Sequence, residues 1–251
     1  MRKICFISGS RADYGLLHNL MRLTKKSKKT KLQLIVTGTH LSSKFGNTYK
    51  EIEEDGFSID SKIRIDLKKD NPSDINKAAA EVMAKISNSY KKLKPDIVIL
   101  LGDRFEMLSS AFAALSMQIP IAHIHGGESS FGSIDEAIRH SITKMSICHF
   151  VSTSIYKKRV IQLGEHPSRV FNLGALATDR IKKLKLFSKK EIEKKLKFKF
   201  NKKNILITFH PATLAENNQR DLKQIFLALN KIKNANKIFT MPNADSGGVK
   251  I

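Results

Sequence analysis

Short apolar runs alternate along the chain with longer segments in which apolar residues recur at helical spacing. The runs are nearly continuous in isoleucine, valine and leucine, which is typical of parallel strands covered by helices on both faces. The predicted strands are Ile4–Ser8, Leu32–Thr37, Asp96–Leu101, Pro120–His125 and Cys148–Ser152. The predicted helices are Tyr14–Thr24, Ser73–Leu93, Arg104–Met117, Ile134–Met145 and Ser154–Leu163, with Ser73 and Ser154 as expected N-caps. This order predicts an α/β fold, a doubly wound Rossmann-like domain.

A second unit of the same kind begins after a lysine-rich stretch, with a predicted strand, helix and strand near positions 204–209, 219–232 and 237–241. We therefore expect an N-terminal Rossmann-like domain over residues 1–180 and a lysine-rich connecting segment over 181–203. Residues 204–251 would start a second Rossmann-like domain. Fewer than about 50 residues rarely form a two-sided sheet with its own core. We expect that second domain to be incomplete in this chain.

The chain is strongly basic, with 45 Lys and Arg residues against 23 Asp and Glu residues and a formal net charge of +22. Such a charge is found in proteins that bind nucleic acid. Here the basic residues are mostly lysines spread along the chain rather than clustered with aromatic residues, which favours solvated helix surfaces. We expect no nucleic-acid partner, and we expect the charge to attract an anionic substrate such as a sugar diphosphate.

Neither a membrane segment nor a disulfide framework is predicted. No apolar run approaches the ~20 residues that span a bilayer, and the first apolar segment indicates a strand rather than a signal peptide. Cys5 and Cys148 lie in strand-like segments, which is typical of reduced thiols. We expect a cytoplasmic protein with no membrane partner.

Polar motifs follow the first and third predicted strands, and ligands of open parallel sheets bind at the carboxyl ends of strands. The turn after the first strand contains Gly9 and leads into a helix, so its N–H groups can hold a phosphate, with Arg11 as a cationic clamp. An ordinary strand-to-helix turn explains the same residues. Asp103 follows the third strand, as an ionised carboxylate at a helix start or as a plain N-cap. Arg104 beside it is an ion-pair partner or a second phosphate ligand.

The densest polar cluster follows the next strand, where His123 and His125 precede a Gly-Gly turn and Glu128. Strand alternation predicts that the two histidines share one side and that the turn exposes them. Asp135 and Arg139 follow, four residues apart on one helix face. A metal site from His123, His125, Glu128 and Asp135 is conceivable, but the spacing matches no zinc pattern. We expect acid–base chemistry with no metal or cofactor.

The second unit adds two further strand-end segments. His210 directly follows a predicted strand, and residues 242–248 form a turn-rich segment after the last one. Both are suited to contacts with a sugar or a phosphate.

Together, these motifs resemble the hydrolysing branch of the UDP-N-acetylglucosamine 2-epimerase family, which serves sialic- and legionaminic-acid synthesis. The resemblance covers all 251 residues. The segments that carry it are Gly9–Gly15, Gly102–Glu106, His123–Glu128, Ile134–Lys144, Phe209–Pro211 and Pro242–Asp245.

The resemblance implies two Rossmann-like domains in a GT-B arrangement and a reaction of elimination followed by hydration. A base removes the C2 proton of the sugar while the nucleoside diphosphate leaves C1, which gives a 2-acetamidoglucal. Water then adds with inversion at C2. The implied substrate is UDP-N-acetylglucosamine or a diacetamido analogue, and the implied assembly of the full-length protein is a homo-oligomer.

The resemblance also implies roles for single residues. Asp103 and Asp135 match acid–base carboxylates of the family. Contacts to the nucleotide are matched by Arg11, Arg104, His210 and Asn243.

Two departures from the family pattern bear on the activity that we expect. His125 stands where several relatives have a catalytic glutamate, so either His125 or Glu128 takes that role. Relatives also continue past the position of Ile251, and for this reason we expect little or no turnover from the chain alone.

Two other classes of protein remain as alternatives. A GT-B glycosyltransferase would transfer the sugar to an acceptor, and solvent deuterium at C2 of the product would exclude it. A basic nucleic-acid-binding protein would bind DNA or heparin with an affinity that falls steeply with salt.

Overall fold

The computed structural model describes residues 1–66, 71–184, 186–210 and 218–240 of the chain. In these ranges the strands are β1 Arg2–Ser8, β2 Thr30–Val36, β3 Ser61–Lys62, β4 Ile97–Leu101, β5 Ile121–Ile124, β6 Cys148–Val151, β7 Val170–Asn172, β8 Lys203–Ile207 and β9 Ala235–Phe239. The helices are α1 Arg11–Lys26, α2 Tyr49–Glu54, α3 Pro72–Leu93, α4 Phe105–Ser116, α5 Asp135–Met145, α6 Ser154–Gln162, α7 Leu176–Lys183, α8 Lys189–Leu196 and α9 Asn218–Asn230. Every strand and helix predicted from the sequence is present, within a few residues at each end.

Seven strands form one parallel sheet in the order β3-β2-β1-β4-β5-β6-β7. The strand order reverses between β1 and β4, which is the switch point at which doubly wound sheets bind their ligands. The predicted α/β fold class, with a doubly wound Rossmann-like domain, is confirmed.

Alternate residues of the central strands pack into two separate cores, one on each face of the sheet. Cys5 and Ile7 of β1 pack on one face with Tyr90 of α3 and Met107 of α4. Phe6 lies on the opposite face, within the cluster that includes Leu17 and Met21 of α1. Because both faces are covered, the strands are apolar throughout, which explains their continuous hydrophobic pattern.

The two expected N-caps are wrong by one or two residues. Asn71 caps α3 and accepts from the Asp74 N–H, with Pro72 following at the first helical position, where its missing N–H costs nothing. Thr153 caps α6 and accepts from the Tyr156 N–H. The predicted caps, Ser73 and Ser154, lie inside the first turns.

Two compact units divide the chain, one over Met1–Lys182 and the other over Lys183–Ile251. The second unit contains the parallel pair β8–β9 with α9 between them in sequence. Part of the lysine-rich segment is the helix α8, which begins with a capping box between Ser188 and Glu191. Within the described ranges no helix has the length and apolar character needed to cross a bilayer.

Candidate active site

The ends of β4, β5 and β6 lie level at one edge of the sheet. Leu101 pairs with Ile124, and Ile124 pairs with Phe150. The residues that follow these strands, including Asp103, His125 and Ser152, therefore emerge at the same edge, although they are far apart in sequence.

Asp103 is bound to an arginine from another element. The Nη2 atom of Arg139, in α5, donates to Asp103 Oδ2, and Arg139 itself is 4% exposed. The other bonds of this guanidinium are to Ser130 Oγ at 2.8 Å and to the Glu128 carbonyl at 2.8 Å. Arg139 thus fixes Asp103 and the segment after β5 at once.

Asp103 is not the N-cap of α4, because Arg104 occupies that position and has no side-chain capping bond. Burial raises the pKa of Asp103 above its ordinary value, although Arg139 opposes the shift, and the nearby charge of Asp135 raises it further. A carboxyl group with a raised pKa and a fixed orientation is suited to exchange protons.

Asp135 is the first residue of α5 and is half-buried. Its N–H donates to Ser133 Oγ at 3.2 Å, and the same hydroxyl donates to its carboxylate. The helix start therefore holds a second carboxylate close enough to Asp103 to influence its protonation.

His125 and Glu128 are hydrogen-bonded to each other. Nδ1 of His125 lies 2.7 Å from Glu128 Oε1, and Ser152 Oγ donates to the same oxygen at 3.0 Å. The Nε2 atom of His125 is buried and has no hydrogen-bond partner in the described part of the chain. Sequence reasoning missed Ser152 as a member of this group, since it lies 24 residues beyond Glu128.

The turn between His125 and Glu128 requires glycine at both of its central positions. A Cβ at Gly126 would lie 3.0 Å from Thr143 Oγ1 and 3.1 Å from His123 Nδ1. Gly127 has φ +78°, and a Cβ there would lie 2.6 Å from the Tyr156 carbonyl oxygen. The turn is therefore pressed against both α5 and α6, which fixes where His125 and Glu128 lie.

His123 is not exposed beside the turn, contrary to expectation. It is completely buried, with Nε2 2.8 Å from the Gly102 carbonyl and Nδ1 3.1 Å from Thr143 Oγ1. Burial lowers its pKa to about 4, so the ring is neutral at pH 7. Strand alternation does not relate the two histidines, because β5 ends at Ile124 and His125 has a left-handed φ of +64°.

Among the residues that the structure describes, no group of three histidine, cysteine or acidic side chains is arranged to hold a metal ion. Both ring nitrogens of His123 are already within hydrogen-bond distance of other groups, which removes it from the conceivable ligand set.

The two arginines expected to bind phosphate differ in their surroundings. Arg11 is 73% exposed and pairs with Glu51 at 3.1 Å, a surface contact that is weak enough to yield to another anion. Arg104 is 14% exposed and its fork is directed at the fully buried Glu106, with two contacts of 3.2 Å.

A buried charged cluster beside β1 was not found from the sequence. Burial raises the pKa of Asp13 to about 6, against the opposing charge of Arg104, and Glu106 adds to the rise. Asp13 Oδ2 accepts from the Gly9 N–H at 3.0 Å. Asp13 lies in α1, so this bond joins the Gly9 turn to the helix that follows it. Gly38, with φ +62°, lies so close to Glu106 that a Cβ there would be 2.6 Å from Glu106 Oε1.

A groove of about 450 Å³ lies on the segment after β2 and was also missed. Lys44, Lys50 and Arg64 line it, together with Tyr49 and Asp66. Three cations in one groove suit an anionic ligand. Nothing in the sequence near position 44 marks the end of a strand, so polar residues at strand ends do not indicate this groove.

The predicted contacts from the second unit are only partly described. His210 is exposed and lies three residues after the last residue of β8. Asn243 lies outside the described residues, and its role stays a prediction, as does that of His210.

The doubly wound sheet, with carboxylates, a histidine and arginines at the carboxyl edge of its strands, defines a Rossmann-like α/β protein with a candidate acid–base site. The model of the family described as UDP-N-acetylglucosamine 2-epimerase matches residues 22–251. The chain belongs to the UDP-N-acetylglucosamine 2-epimerase family.

Two curated relatives are similar over nearly the whole chain. The chain is 48% identical over 251 residues to GDP/UDP-N,N'-diacetylbacillosamine 2-epimerase (hydrolyzing) of Campylobacter jejuni, covering all of this chain and 65% of that protein. It is 37% identical to UDP-N,N'-diacetylbacillosamine 2-epimerase (hydrolyzing) of Legionella pneumophila, covering 99% of this chain and 66% of that protein. The chain thus spans just under two thirds of the length of these relatives.

A solved structure of UDP-GlcNAc 2-epimerase from Neisseria meningitidis bound to UDP-GlcNAc has the same fold, with a TM-score of 0.81 at 18% identity. The match covers 99% of this chain and 68% of that chain. At this identity the likeness concerns the fold alone.

Proposed function

We propose that this chain carries the acid–base groups of a hydrolysing 2-epimerase that acts on a nucleoside-diphosphate sugar with a 2-acetamido group. The observation that carries the proposal is the Asp103–Arg139 pair at the sheet edge, with the charge of Asp135 close enough to raise the pKa of Asp103. Membership of the epimerase family supports it.

The proposed reaction balances in two steps. In the elimination, a base takes the proton from C2, the C2–H electron pair forms the C1=C2 double bond, and the C1–O bond breaks with its pair going to the diphosphate. In the hydration, a proton is added to C2 from the other face while a water oxygen bonds to C1 and loses a proton. The products are the nucleoside diphosphate and the free 2-epimeric sugar.

We assign proton transfer to Asp103, to Asp135 and to the His125–Glu128 pair. One positioned acid–base group contributes roughly 10²–10⁴-fold to rate. Nucleotide contacts are assigned to Arg11, Arg104, His210 and Asn243. Of the two arginines, Arg11 is the more available, because Arg104 must be drawn from the buried Glu106.

We propose a diacetamido sugar such as UDP-N,N'-diacetylbacillosamine as the preferred substrate, with UDP-N-acetylglucosamine as the poorer one. The support is the 48% identity to a relative named for that sugar. In our assignment this choice of substrate accompanies the departure at His125 from the glutamate that the family resemblance implies there.

The test supplies each sugar nucleotide to the protein that contains this chain and measures nucleoside diphosphate and free sugar. The proposal expects stoichiometric release of both, faster with the diacetamido substrate, and none from Asp103→Asn. Release of the unepimerised sugar, or transfer of the sugar to an added acceptor, would contradict it. Transfer would favour the glycosyltransferase alternative.

We also propose that the protein acts as a homo-oligomer. Phe112 and Leu115 on one face of α4 are 51% and 49% exposed, which supports a further surface packing there. Sedimentation of the parent and of Phe112→Glu tests this, and a monomeric parent would refute it.

A cytoplasmic location is proposed from the two cysteines. Cys5 is buried, Cys148 is partly buried, and both are free thiols, which suits a reducing compartment. Fractionation of cells that express the protein checks the location.

A further inference from the structure

Three side chains from two neighbouring strand ends form a hydrogen-bonded series, Ser152–Glu128–His125. We infer that Glu128 and Ser152 are positioning residues, and that His125 accepts the C2 proton of the substrate at Nε2. This inference rests on the proposed function and decides between His125 and Glu128 as the proton-transfer group.

The tautomer of His125 follows from its contact with Glu128. An ionised carboxylate has no proton to donate, so at 2.7 Å the hydrogen must lie on Nδ1 of His125. The neutral ring then carries its lone pair on Nε2. Ser152 donates to the same carboxylate oxygen at 3.0 Å and holds it in place.

Glu128 is ionised at neutral pH. Partial burial raises its pKa, but the hydrogen bond from His125, the positive charge that His125 carries when it is protonated, the hydrogen bond from Ser152 and the charge of Arg139 together bring the pKa below its ordinary value. Glu128 therefore does not hold a proton at pH 7, and its negative charge stabilises an imidazolium beside it.

Bonds to the backbone of His125 and Glu128 also hold the Ser152–Glu128–His125 series in place. The His125 N–H donates to the Phe150 carbonyl at 2.9 Å, and Arg139 donates to the Glu128 carbonyl at 2.8 Å. His125 has φ +64°, a conformation that few residues other than glycine adopt, and such strain is concentrated at functional sites. The turn directs the ring by its backbone rather than by strand alternation.

The Nε2 atom of His125 is buried and has no hydrogen-bond partner among the described residues. Buried polar atoms normally have partners, and an orphaned one at the ligand edge of a sheet points to a ligand that completes it. The side chain as a whole is 18% exposed, so part of the ring reaches the protein surface although Nε2 itself is covered.

The proton transfer balances with the proposed elimination. Nε2 takes the C2 proton, the C2–H pair becomes the double bond, and the C1–O pair leaves with the diphosphate. The imidazolium so formed is stabilised by Glu128 and returns its proton to water before the next cycle. Among the described residues, the charged or titratable groups beside this series include His123 on β5, Arg139 on α5 and Arg159 on α6, which donates to the Gly127 carbonyl.

The experiment uses chemical rescue in the protein that contains this chain. His125→Gly suits the left-handed backbone and opens a space for imidazole. We expect turnover to fall by roughly 10²–10⁴-fold and to be partly restored by added imidazole, in proportion to its unprotonated fraction. His166→Gly, at an exposed position away from the edge, is the control and should neither lose activity nor respond to imidazole.

Two further variants separate positioning from proton transfer. Glu128→Gln should lower kcat and move the acid limb of the kcat/KM pH profile to lower pH, because the imidazolium loses its anionic neighbour. Ser152→Ala should give a smaller change of kcat, with KM nearly unaltered. An unchanged pH profile in Glu128→Gln, or an unchanged kcat in Ser152→Ala, would contradict the positioning role of that residue.

A substrate-free measurement keeps the inference distinct from the proposed function. Two-bond ¹H–¹⁵N NMR of the labelled parent should show His125 as the Nδ1–H tautomer at pH 8. An Nε2–H tautomer, or full activity in a folded His125→Gly, would overturn the inference while leaving the epimerase proposal intact. A parent that turns over neither sugar nucleotide would instead refute the proposed function.

Discussion

Arg139 on α5 donates to the carboxylate of Asp103 after β4, across 36 positions of sequence. The same guanidinium binds Ser130 and the Glu128 carbonyl. One side chain thus connects the residues that follow two different strands, and its loss should disturb both.

Arg139→Met removes this connection and leaves the partly buried Asp103 carboxylate without its cation. We expect the free energy of unfolding to fall by about 2–4 kcal/mol, because breaking a buried pair leaves one charge uncompensated. Urea unfolding measures the change. Lys144→Met on the same helix breaks an exposed pair with Glu165 and should cost less than about 1 kcal/mol. Equal costs in the two variants would contradict the assigned role of Arg139.

Asp103→Asn separates chemistry from folding. An asparagine oxygen can still accept from Arg139, so the variant should fold and bind UDP as the parent does, while turnover is lost because an amide exchanges no proton at this pH. Calorimetric titration with UDP and a turnover assay check the two halves. Unfolding of the variant would show that Asp103 is chiefly structural.

Gly127→Ala tests the packing of the turn against α6. The new Cβ would lie 2.6 Å from the Tyr156 carbonyl and 2.8 Å from Val160, at φ +78°. We expect a loss of about 3 kcal/mol or more of unfolding free energy, from backbone strain and overpacking. Gly56→Ala has a similar φ, +81°, with nothing within 4 Å of the Cβ, and should cost only about 1–2 kcal/mol. Similar losses in both variants would remove the packing argument.

Asp13→Asn should change how stability depends on pH. Burial raises the pKa of Asp13 from 3.8 to about 6, so the folded state favours the neutral form. The stabilisation that this gives is complete below pH 3.8 and is lost as the pH rises to about 6. The parent should therefore lose about 3 kcal/mol relative to the variant over this interval. Urea midpoints of both proteins from pH 4 to pH 7 measure the difference, and a difference that does not vary with pH would refute the raised pKa.

The strands and helices of the fold could be predicted from the sequence because each leaves a local pattern. The continuous apolar runs of β1 and β4 record burial on two faces, and helical spacing marks α3 and α4. Short elements were missed, since the two-residue β3 and the six-residue α2 are too brief to show a period. The N-caps were misplaced because several adjacent polar residues can cap equally well.

The candidate site was predictable only in part. Residue types at strand ends indicated Asp103, His125, Glu128 and Asp135, but their partners come from distant positions. Nothing near Asp103 in sequence predicts its bond to Arg139, and nothing near Glu128 predicts Ser152. The burial of His123 was also unpredictable, because it depends on bonds to two other elements.

The proposed enzyme removes and replaces the proton at C2 of a nucleotide sugar. The most direct test runs the reaction of the protein that contains this chain in deuterium oxide and examines the free sugar by ¹H NMR. We expect the 2-epimeric sugar with one deuterium at C2, together with the released nucleoside diphosphate. A sugar that keeps its original C2 hydrogen would contradict this expectation.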